Sequence, residues 1–173
     1  MSAVDIAKVA GLMFFAALLQ SSIVGAAEVA GGTADLVLVS LAAVALLRGS
    51  IYGAGAGFFA GLIVDTANLA TLGQTSFLLT IAGYWIGRYG ETTGRDRSHA
   101  PLLSVAVITV LYALASLALH VVLGDPVDAR HVLVNALLPT VLLNLALTIP
   151  VYALVKRVLG PREWRYAEVR LLG

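Results

Sequence analysis

Cysteine is absent from this 173-residue chain, and charged residues are scarce. Without cysteine the chain can form no disulfide, no zinc–thiolate site and no thiol nucleophile. Charged residues make up 12% of the chain, about half the share of a typical soluble domain. The sequence also contains no phosphate-binding loop, nucleophile elbow, zinc-protease motif or paired catalytic carboxylates. We therefore expect no enzyme, no cofactor or metal site, and no nucleic-acid partner.

Apolar residues are abundant instead. They make up 60% of the chain, and the mean hydropathy is +0.93. This composition predicts an all-α integral membrane protein. The length suits one transmembrane domain, which we assign to residues 1–160, followed by a short basic cytoplasmic tail at residues 161–173.

Six apolar stretches are predicted to cross the membrane, since a helix needs about 20 residues to span a hydrocarbon core of roughly 30 Å. They are Val9–Val24, Leu36–Leu47, Ile51–Leu72, Phe77–Ile86, Leu102–Leu123 and Val132–Val155. The second and fourth are short, so we expect both to extend into their polar flanks. Asp35 is the predicted N-cap of the second helix, where a carboxylate is favoured at the positive helix end.

Charge is distributed unevenly between the two sides that six crossings create. Ten of the eleven Lys and Arg residues fall on the side of the two termini. They are Lys8, Arg48, Arg88, Arg95, Arg97, Lys156, Arg157, Arg162, Arg165 and Arg170. The other side has Arg130 and the acids Glu28, Asp35, Asp125 and Asp128. The positive-inside rule therefore predicts that both termini are cytoplasmic.

The two ends of the chain leave alternatives open. The first span could be a cleaved signal peptide, because the small residues of 25–27 follow it, but Asp5 and Gln20 disfavour this. The tail VKRVLGPREWRYAEVRLLG has five basic and two acidic residues. Such a segment suits the anionic lipid of the cytoplasmic leaflet, and contact with a cytoplasmic partner is the alternative.

The third helix has small residues along one face. Gly53, Gly57, Gly61 and Asp65 follow one another at steps of four, so they lie on the same side of a helix. Small residues at this spacing allow two helix backbones to approach closely. Asn68 lies three residues beyond the acid and could share its partners. We predict that this face packs against another helix or binds a partner.

Asp65 itself needs an explanation, because a carboxylate in the membrane costs about 2.5–3.5 kcal/mol at the helix centre. It lies about 21 Å from Ile51 at 1.5 Å per residue, toward the outer leaflet. It could be a hydrogen-bonding hub that fixes helix packing and the Leu72-Gly73 turn. It could also couple ions or protons, or meet a partner's helix. We favour the hub, since a lone acid beside Asn and Thr makes a poor ion pathway.

The fourth helix ends in the sequence GYWIGRYG, which combines small and anchoring residues. Gly83 and Gly87 repeat the small-residue spacing of the third helix. Tyr84 and Trp85 are predicted to lie at the membrane interface, where aromatic rings anchor helices, and Arg88 closes the span. An interface anchor is the favoured interpretation of these three residues, ahead of a ligand site.

Polar residues near the last two spans suggest weaker possibilities. His120 and His131, with Asp125 and Asp128, could bind a divalent metal, although we favour an interfacial hydrogen-bonding role for His120. In the sixth span, prolines can kink the helix and free backbone carbonyls. Asn144 could bond across to another helix, and the third is one candidate.

Residues 34–88 resemble the rod shape-determining protein MreD family. The family pattern has an Asp-Leu start and a basic end to the second helix, an acid four residues after a glycine, a Leu-Gly turn, and a Gly-Tyr-x-x-Gly-Arg close. Here it falls on Asp35-Leu36, Arg48, Gly61 with Asp65, Leu72-Gly73, Gly83-Tyr84 and Gly87-Arg88. Ala34, where proline is common, and Thr66-Ala67-Asn68 depart from the pattern.

The resemblance implies a non-enzymatic membrane component of the bacterial cell elongation machinery. Its implied partners are an MreC-type bitopic membrane protein, cytoplasmic MreB filaments, and the cell-wall polymerase and transpeptidase. The fold also resembles the six-helix substrate-binding subunits of energy-coupling-factor transporters. A vitamin-type transport subunit is therefore the alternative function.

Overall fold

The computed structural model describes residues 3–24, 28–29, 31–69, 71–93, 99–124 and 131–160. Within these residues the chain forms six α-helices and one short hairpin. The helices are α1 Ala3–Leu19, α2 Leu36–Arg48, α3 Ser50–Ala67, α4 Gln74–Thr93, α5 Ala100–Leu123 and α6 Leu137–Leu159. π-Helical turns at Gln20–Val24 and His131–Ala136 continue α1 and precede α6. Strands β1 Glu28–Val29 and β2 Gly32–Thr33 pair antiparallel before α2.

Four of the helical stretches are long and apolar enough to cross a membrane. They are Val4–Ser22, Ser50–Ala67, Ala100–Leu123 and Leu137–Leu159. Helix α2 is apolar but has 13 residues, about 20 Å at 1.5 Å per residue. Helix α4 has 20 residues with polar groups at both ends. The all-helical class is confirmed for the described residues, and the crossing of α2 and α4 stays a prediction.

Helix α2 is the centre of the bundle. It contacts all five other helices, and every residue from Val37 to Leu46 is buried. Its sequence LVLVSLAAVALLR is apolar on all sides, which is the pattern of a helix buried all round. Helix α2 is therefore enclosed by the longer helices of the bundle.

The helix ends meet at two faces. At the terminal face, where α1, α3 and α5 begin, Arg48 at the end of α2 bonds to Asp5 on α1 and to the Leu159 carbonyl on α6. At the opposite loop face, Gln74 at the start of α4 lies 3.1 Å from a ring nitrogen of His120 near the end of α5. Consecutive helices thus run in alternating directions.

Three predicted helix boundaries differ from the structure. Helix α3 ends at Ala67 and does not continue to Leu72, because the chain turns back there to meet Asp65. Helix α2 ends at Arg48, only one residue beyond its predicted apolar core, whereas the predicted extension of α4 is confirmed, since it runs from Gln74 to Thr93. The sixth span starts as a π-helical turn before Pro139, whose ring cannot be accommodated by the usual α-helical backbone pairing.

Candidate functional site

Asp65 caps the first turn of α4 from the neighbouring helix α3. One carboxylate oxygen, Oδ2, accepts the backbone N–H groups of Gly73 at 2.8 Å and Ser76 at 3.4 Å. The other, Oδ1, accepts the N–H of Thr75 at 3.1 Å. The side chain is 1% exposed. One buried carboxylate therefore satisfies three donors at the start of a helix.

This geometry explains why an acid is tolerated at that depth. The first N–H groups of any helix lack partners within the helix, and unpaired backbone groups are costly in a membrane. The helix dipole places partial positive charge at the same end, which favours a carboxylate by about 0.3–1 kcal/mol or more when partly buried. The arrangement is that of the hydrogen-bonding hub, and it includes the turn at Gly73.

The turn between α3 and α4 places Asn68 away from this hub. Asn68 is exposed and forms the C-cap of α3, where its backbone N–H donates to the Val64 carbonyl at 3.0 Å. Leu69 follows with φ +52° and is 94% exposed. Gly73 then adopts φ +96°, a conformation that favours glycine. Asn68 therefore contributes to the helix end, and its side chain lies outside the packed face.

The glycine face of α3 packs directly on the backbone of α4. A Cβ atom added at Gly53 would overlap the Gly83 carbonyl, and one at Gly57 would overlap the Leu79 carbonyl. A Cβ at Gly61 would overlap Ser76. Small residues at steps of four thus allow the two helices to touch backbone to backbone.

Helix α4 supplies its own glycines to this seam. A Cβ at Gly83 would overlap the Gly53 carbonyl, and one at Gly87 would overlap the Ser50 backbone. At the terminal end, the Ser50 N–H donates to the Glu91 carboxylate at 2.9 Å. The seam is therefore filled within the chain, and its glycine face is not open to a partner helix.

The start of α2 is capped in a similar way by residues from several elements. Asp35 accepts the Leu38 N–H at 2.8 Å, as its predicted N-cap role requires. The N–H of Asp35 donates to Asn144 Oδ1 on α6 at 2.7 Å, and the N–H of Leu36 donates to Gln20 Oε1 at 2.7 Å. Three backbone donors at this partly buried helix start are thus paired with side chains.

Asn144 bonds across to another helix, as the sequence predicted, but its partners are on α5 and at the start of α2 and not on the candidate helix α3. It is fully buried, and its Nδ2 donates to Thr109 Oγ1 on α5 at 3.1 Å. Its Oδ1 accepts from Asp35. Asn144 on α6 therefore bonds to the start of α2 and to the side of α5. Both of these helices pack against α6.

A polar cavity of about 280 Å³ lies beside this cluster at the loop face. Its lining includes Asp35, Gln20, Tyr112, His120 and Asn144. His120 on α5 also lies 3.1 Å from the side chain of Gln74 at the start of α4. The two capped helix starts are thus connected through α5. Asp65 is not among the residues that line the cavity.

The terminal face holds a buried arginine that sequence reasoning treated only as the end of a span. Arg48 is 6% exposed, and its Nη2 lies 3.2 Å from Asp5 Oδ1. The same guanidinium donates to the carbonyl of Leu159. An arginine at the end of a helix surrounded by apolar residues was a signal for this link, because a charge that is buried must find a partner.

Tyr84, Trp85 and Arg88 lie on the outer surface of α4. Tyr84 is 43% exposed and packs edge-on against Trp85, with ring centroids 5.9 Å apart. Arg88 Nη1 lies 3.5 Å from Glu91 Oε2 and is largely exposed. This placement provides the exposure that an interface anchor needs.

Of the possible metal ligands named from the sequence, His120 is the one whose side chain the structure describes. His120 Nδ1 lies 2.8 Å from the Ser116 carbonyl, in keeping with a hydrogen-bonding role. Asp125, Asp128 and the small residues after α1 lie outside the described residues, as does the basic tail. Within the described ranges no group of three potential ligands is close enough to hold a metal ion.

A comparison with protein families matches residues 6–159 to the rod shape-determining protein MreD. The chain belongs to the MreD family. The match extends well beyond residues 34–88, on which the resemblance was based, and covers all six helices almost completely. No curated protein and no solved structure matches the chain. The similarity to energy-coupling-factor subunits therefore stays a prediction.

Proposed function

We propose that this MreD-family protein is a non-enzymatic scaffold of the bacterial elongation machinery. Membership of the family assigns it a rod shape-determining role, and the four apolar helices suggest a multi-pass membrane protein. Beyond this, we propose that it lies in the inner membrane and binds an MreC-type bitopic protein. Through that partner it would help to couple MreB filaments to the cell-wall polymerase and transpeptidase.

The arrangement of charge supports the orientation in this proposal. Arg48 ends α2 at the terminal face, and Arg88 lies in the half of α4 nearest that face. Lys156 and Arg157 lie in the last turn of α6 at the same face. The positive-inside rule places such a face in the cytoplasm. Both termini would then be available to cytoplasmic components, while the loop face would be periplasmic.

The pairing of Asp65 is the observation that carries the scaffold proposal beyond family membership. An ion-coupling acid must exchange protons or ions with water, usually along a polar cavity. Asp65 is 1% exposed and is held by three backbone donors at the start of α4. This favours a role in holding the bundle together, which a docking protein requires.

The decisive experiment is co-purification with an MreC-type partner. Both proteins are co-expressed, extracted in a mild detergent and purified through a tag on this chain. We expect the partner to be retained, and we expect the tagged chain to restore rod shape in cells that lack their own MreD. A folded chain that retains no partner under these conditions would contradict the proposal.

The polar cavity is the observation that favours the alternative of a small-molecule transport subunit. Its volume of about 280 Å³ is below the usual range of about 300–1,000 Å³ for ligand sites. Several of its polar groups are already paired with one another, including Asn144 with Asp35. The scaffold is therefore preferred, and a vitamin-sized compound that raised the unfolding temperature would favour the alternative.

A further inference from the structure

An apolar groove lies on the outer surface of the bundle between α1 and α6. It has a volume of about 380 Å³. Phe15 forms part of its α1 wall and Leu154 part of its α6 wall, and both side chains are more than half exposed. Leu36 and Ser40 of the central helix α2 line its floor. We call this surface the α1–α6 groove.

The length of the groove corresponds to one leaflet of a membrane. On α1 its lining extends from Ala7 to Leu19, about 18 Å at 1.5 Å per residue. Half of a hydrocarbon core of roughly 30 Å is about 15 Å. On α6 the lining lies between Val151 and Val158, in the half of the helix nearest the terminal face. A partner's spanning helix would need the full thickness, so the length favours a lipid acyl chain.

Lys8 places an unpaired positive charge at the terminal end of this groove. It lies within the apolar stretch Val4–Ser22 and is exposed. Asp5 and Asp65, the acids within the membrane-spanning stretches, have partners. Lys8 has none in the part of the chain that the structure describes. A charge within a membrane span is unfavourable without a partner. A lysine side chain is long enough to carry its ammonium to the headgroup level, where lipid phosphate is the available anion.

Gly11 leaves the middle of the groove open. It lies in the lining between Lys8 and Phe15, and nothing lies within 4 Å of a Cβ atom added there. The glycines of α3 are different, because a Cβ at Gly57 would overlap the backbone of α4. Glycine is unfavourable in a helix interior, and helix packing does not require it at residue 11. The missing side chain instead provides room for an acyl chain.

A second apolar groove, between α4 and α5, lacks the charge. It consists of two adjoining cavities of about 500 and 230 Å³ that share Trp85, Ile108 and Leu111. Among the described residues, none that lines either cavity is charged. Nothing in this second groove selects a lipid headgroup, so it provides an internal comparison for the first.

We propose that the α1–α6 groove binds an anionic phospholipid of the leaflet at the terminal face. One acyl chain lies along Gly11 and the two walls, and the Lys8 ammonium donates to the phosphate. Lys156 and Arg157 add positive charge at the same face, in the last turn of α6, and favour a headgroup with net negative charge. The inference goes beyond the proposed scaffold function and requires no protein partner.

Photo-crosslinking tests the location of the lipid. The full chain is purified in a mild detergent, mixed with phosphatidylglycerol that carries a diazirine in its acyl chain, and irradiated. Adducts are mapped by digestion and mass spectrometry. We expect them on residues 11–15 of α1 and 151–155 of α6, and few on the α4–α5 groove. Adducts spread equally over the two grooves would contradict a selective site.

Lys8→Gln tests the contact with the headgroup. Native mass spectrometry measures the binding of phosphatidylglycerol and of zwitterionic phosphatidylcholine with the same acyl chains. We expect the variant to bind phosphatidylglycerol about threefold to tenfold more weakly, the effect of one charge near an anionic lipid, and to bind phosphatidylcholine as before. Arg88→Gln is the matched control, because it removes an exposed positive charge from α4, outside the groove. It should have little effect.

Gly11→Leu tests the path of the acyl chain. The new side chain should fill the groove and weaken the binding of both lipids, while the unfolding temperature does not fall, because nothing contacts a Cβ at this position. Gly55→Leu is the matched control on α3. Gly55 is also exposed with open space around its added Cβ, and it does not line the groove. This variant should bind lipid as the wild type does, and equal losses in the two variants would contradict the assignment.

Three further results would overturn the proposal. Equal losses of phosphatidylglycerol binding in Lys8→Gln and Arg88→Gln would show a diffuse attraction to the positive face. Competition by inorganic phosphate, which has no acyl chain, would assign Lys8 to a free anion. Loss of the groove adducts when an MreC-type partner is co-expressed would assign the groove to that partner. The scaffold function is tested separately by co-purification, so failure of either proposal can be distinguished from failure of the other.

Discussion

Asn144 Oδ1 on α6 accepts the backbone N–H of Asp35 at 2.7 Å, across 109 residues of chain. The sixth helix thus closes the partly buried start of the second, which is the central helix of the bundle. A residue that is distant in sequence completes the cap that Asp35 begins. The fold depends on such links at both faces, and they lead to four predictions.

Replacing Asn144 with leucine should destabilise the protein by about 1–3 kcal/mol. The change leaves the Asp35 N–H and the Thr109 hydroxyl without their partner, and a buried unpaired group costs about that amount. Unfolding in detergent micelles measures the effect. Leu138→Ala on the same helix, at a side chain that is 67% exposed, is the control and should have little effect.

Replacing Asp65 should separate its charge from its hydrogen bonds. Asp65→Ala removes the acceptor of three N–H groups, and we expect a loss of about 2–4 kcal/mol, more than an exposed helix cap. Asp65→Asn keeps one acceptor oxygen and should lose less. Unfolding in detergent micelles ranks the two variants by their stability.

Rod-shape complementation then distinguishes the hub from ion coupling. The hub interpretation expects Asp65→Asn to retain function in proportion to its stability. A stable Asp65→Asn protein that failed to restore rod shape would instead indicate that the charge itself is required.

Two glycines on α3 should respond in opposite ways to alanine. A Cβ at Gly57 would overlap the Leu79 carbonyl of α4, whereas nothing lies within 4 Å of a Cβ at Gly55. We expect Gly57→Ala to cost about 1–3 kcal/mol through overpacking. Gly55→Ala should be neutral or stabilising by up to about 1 kcal/mol, because alanine favours the helix. Equal changes in the free energy of unfolding for the two variants would contradict the backbone contact between α3 and α4.

The ion pair between Arg48 and Asp5 should be asymmetric. Arg48 is 6% exposed, while the Asp5 side chain is 34% exposed. Asp5→Ala leaves a buried cation without its anion, which is strongly unfavourable. Arg48→Met leaves an anion that water can reach and keeps most of the packing. We therefore expect the lower unfolding temperature for Asp5→Ala, and the reverse order would contradict this account.

The sequence was informative where one strong local preference acted alone. Long apolar stretches predicted the helices, because a helix is one of the few structures that satisfy the backbone in a membrane. The N-cap at Asp35 followed from residue type and position. The spacing of Gly53, Gly57 and Gly61 predicted a packed face, although not which helix would cover it.

The sequence was less informative where a polar group could bond to more than one element. Asn144 was predicted to bond to another helix, but the sequence did not indicate that its partners are the start of α2 and Thr109 on α5. The end of α3 was placed too late, since apolar residues up to Leu72 continue past the turn at Asn68. Hydrophobicity does not reveal where a chain reverses when the reversal is stabilised by a distant carboxylate.

The sequence by itself determined that this protein is helical, that it is suited to a membrane, and that it belongs to the MreD family. Only the tertiary structure decided that Asp65 caps α4 and that the glycine seam is closed within the chain. The physical reason is that burial and periodicity are local properties of a sequence. Hydrogen-bond pairing and close contact depend on which helices become neighbours.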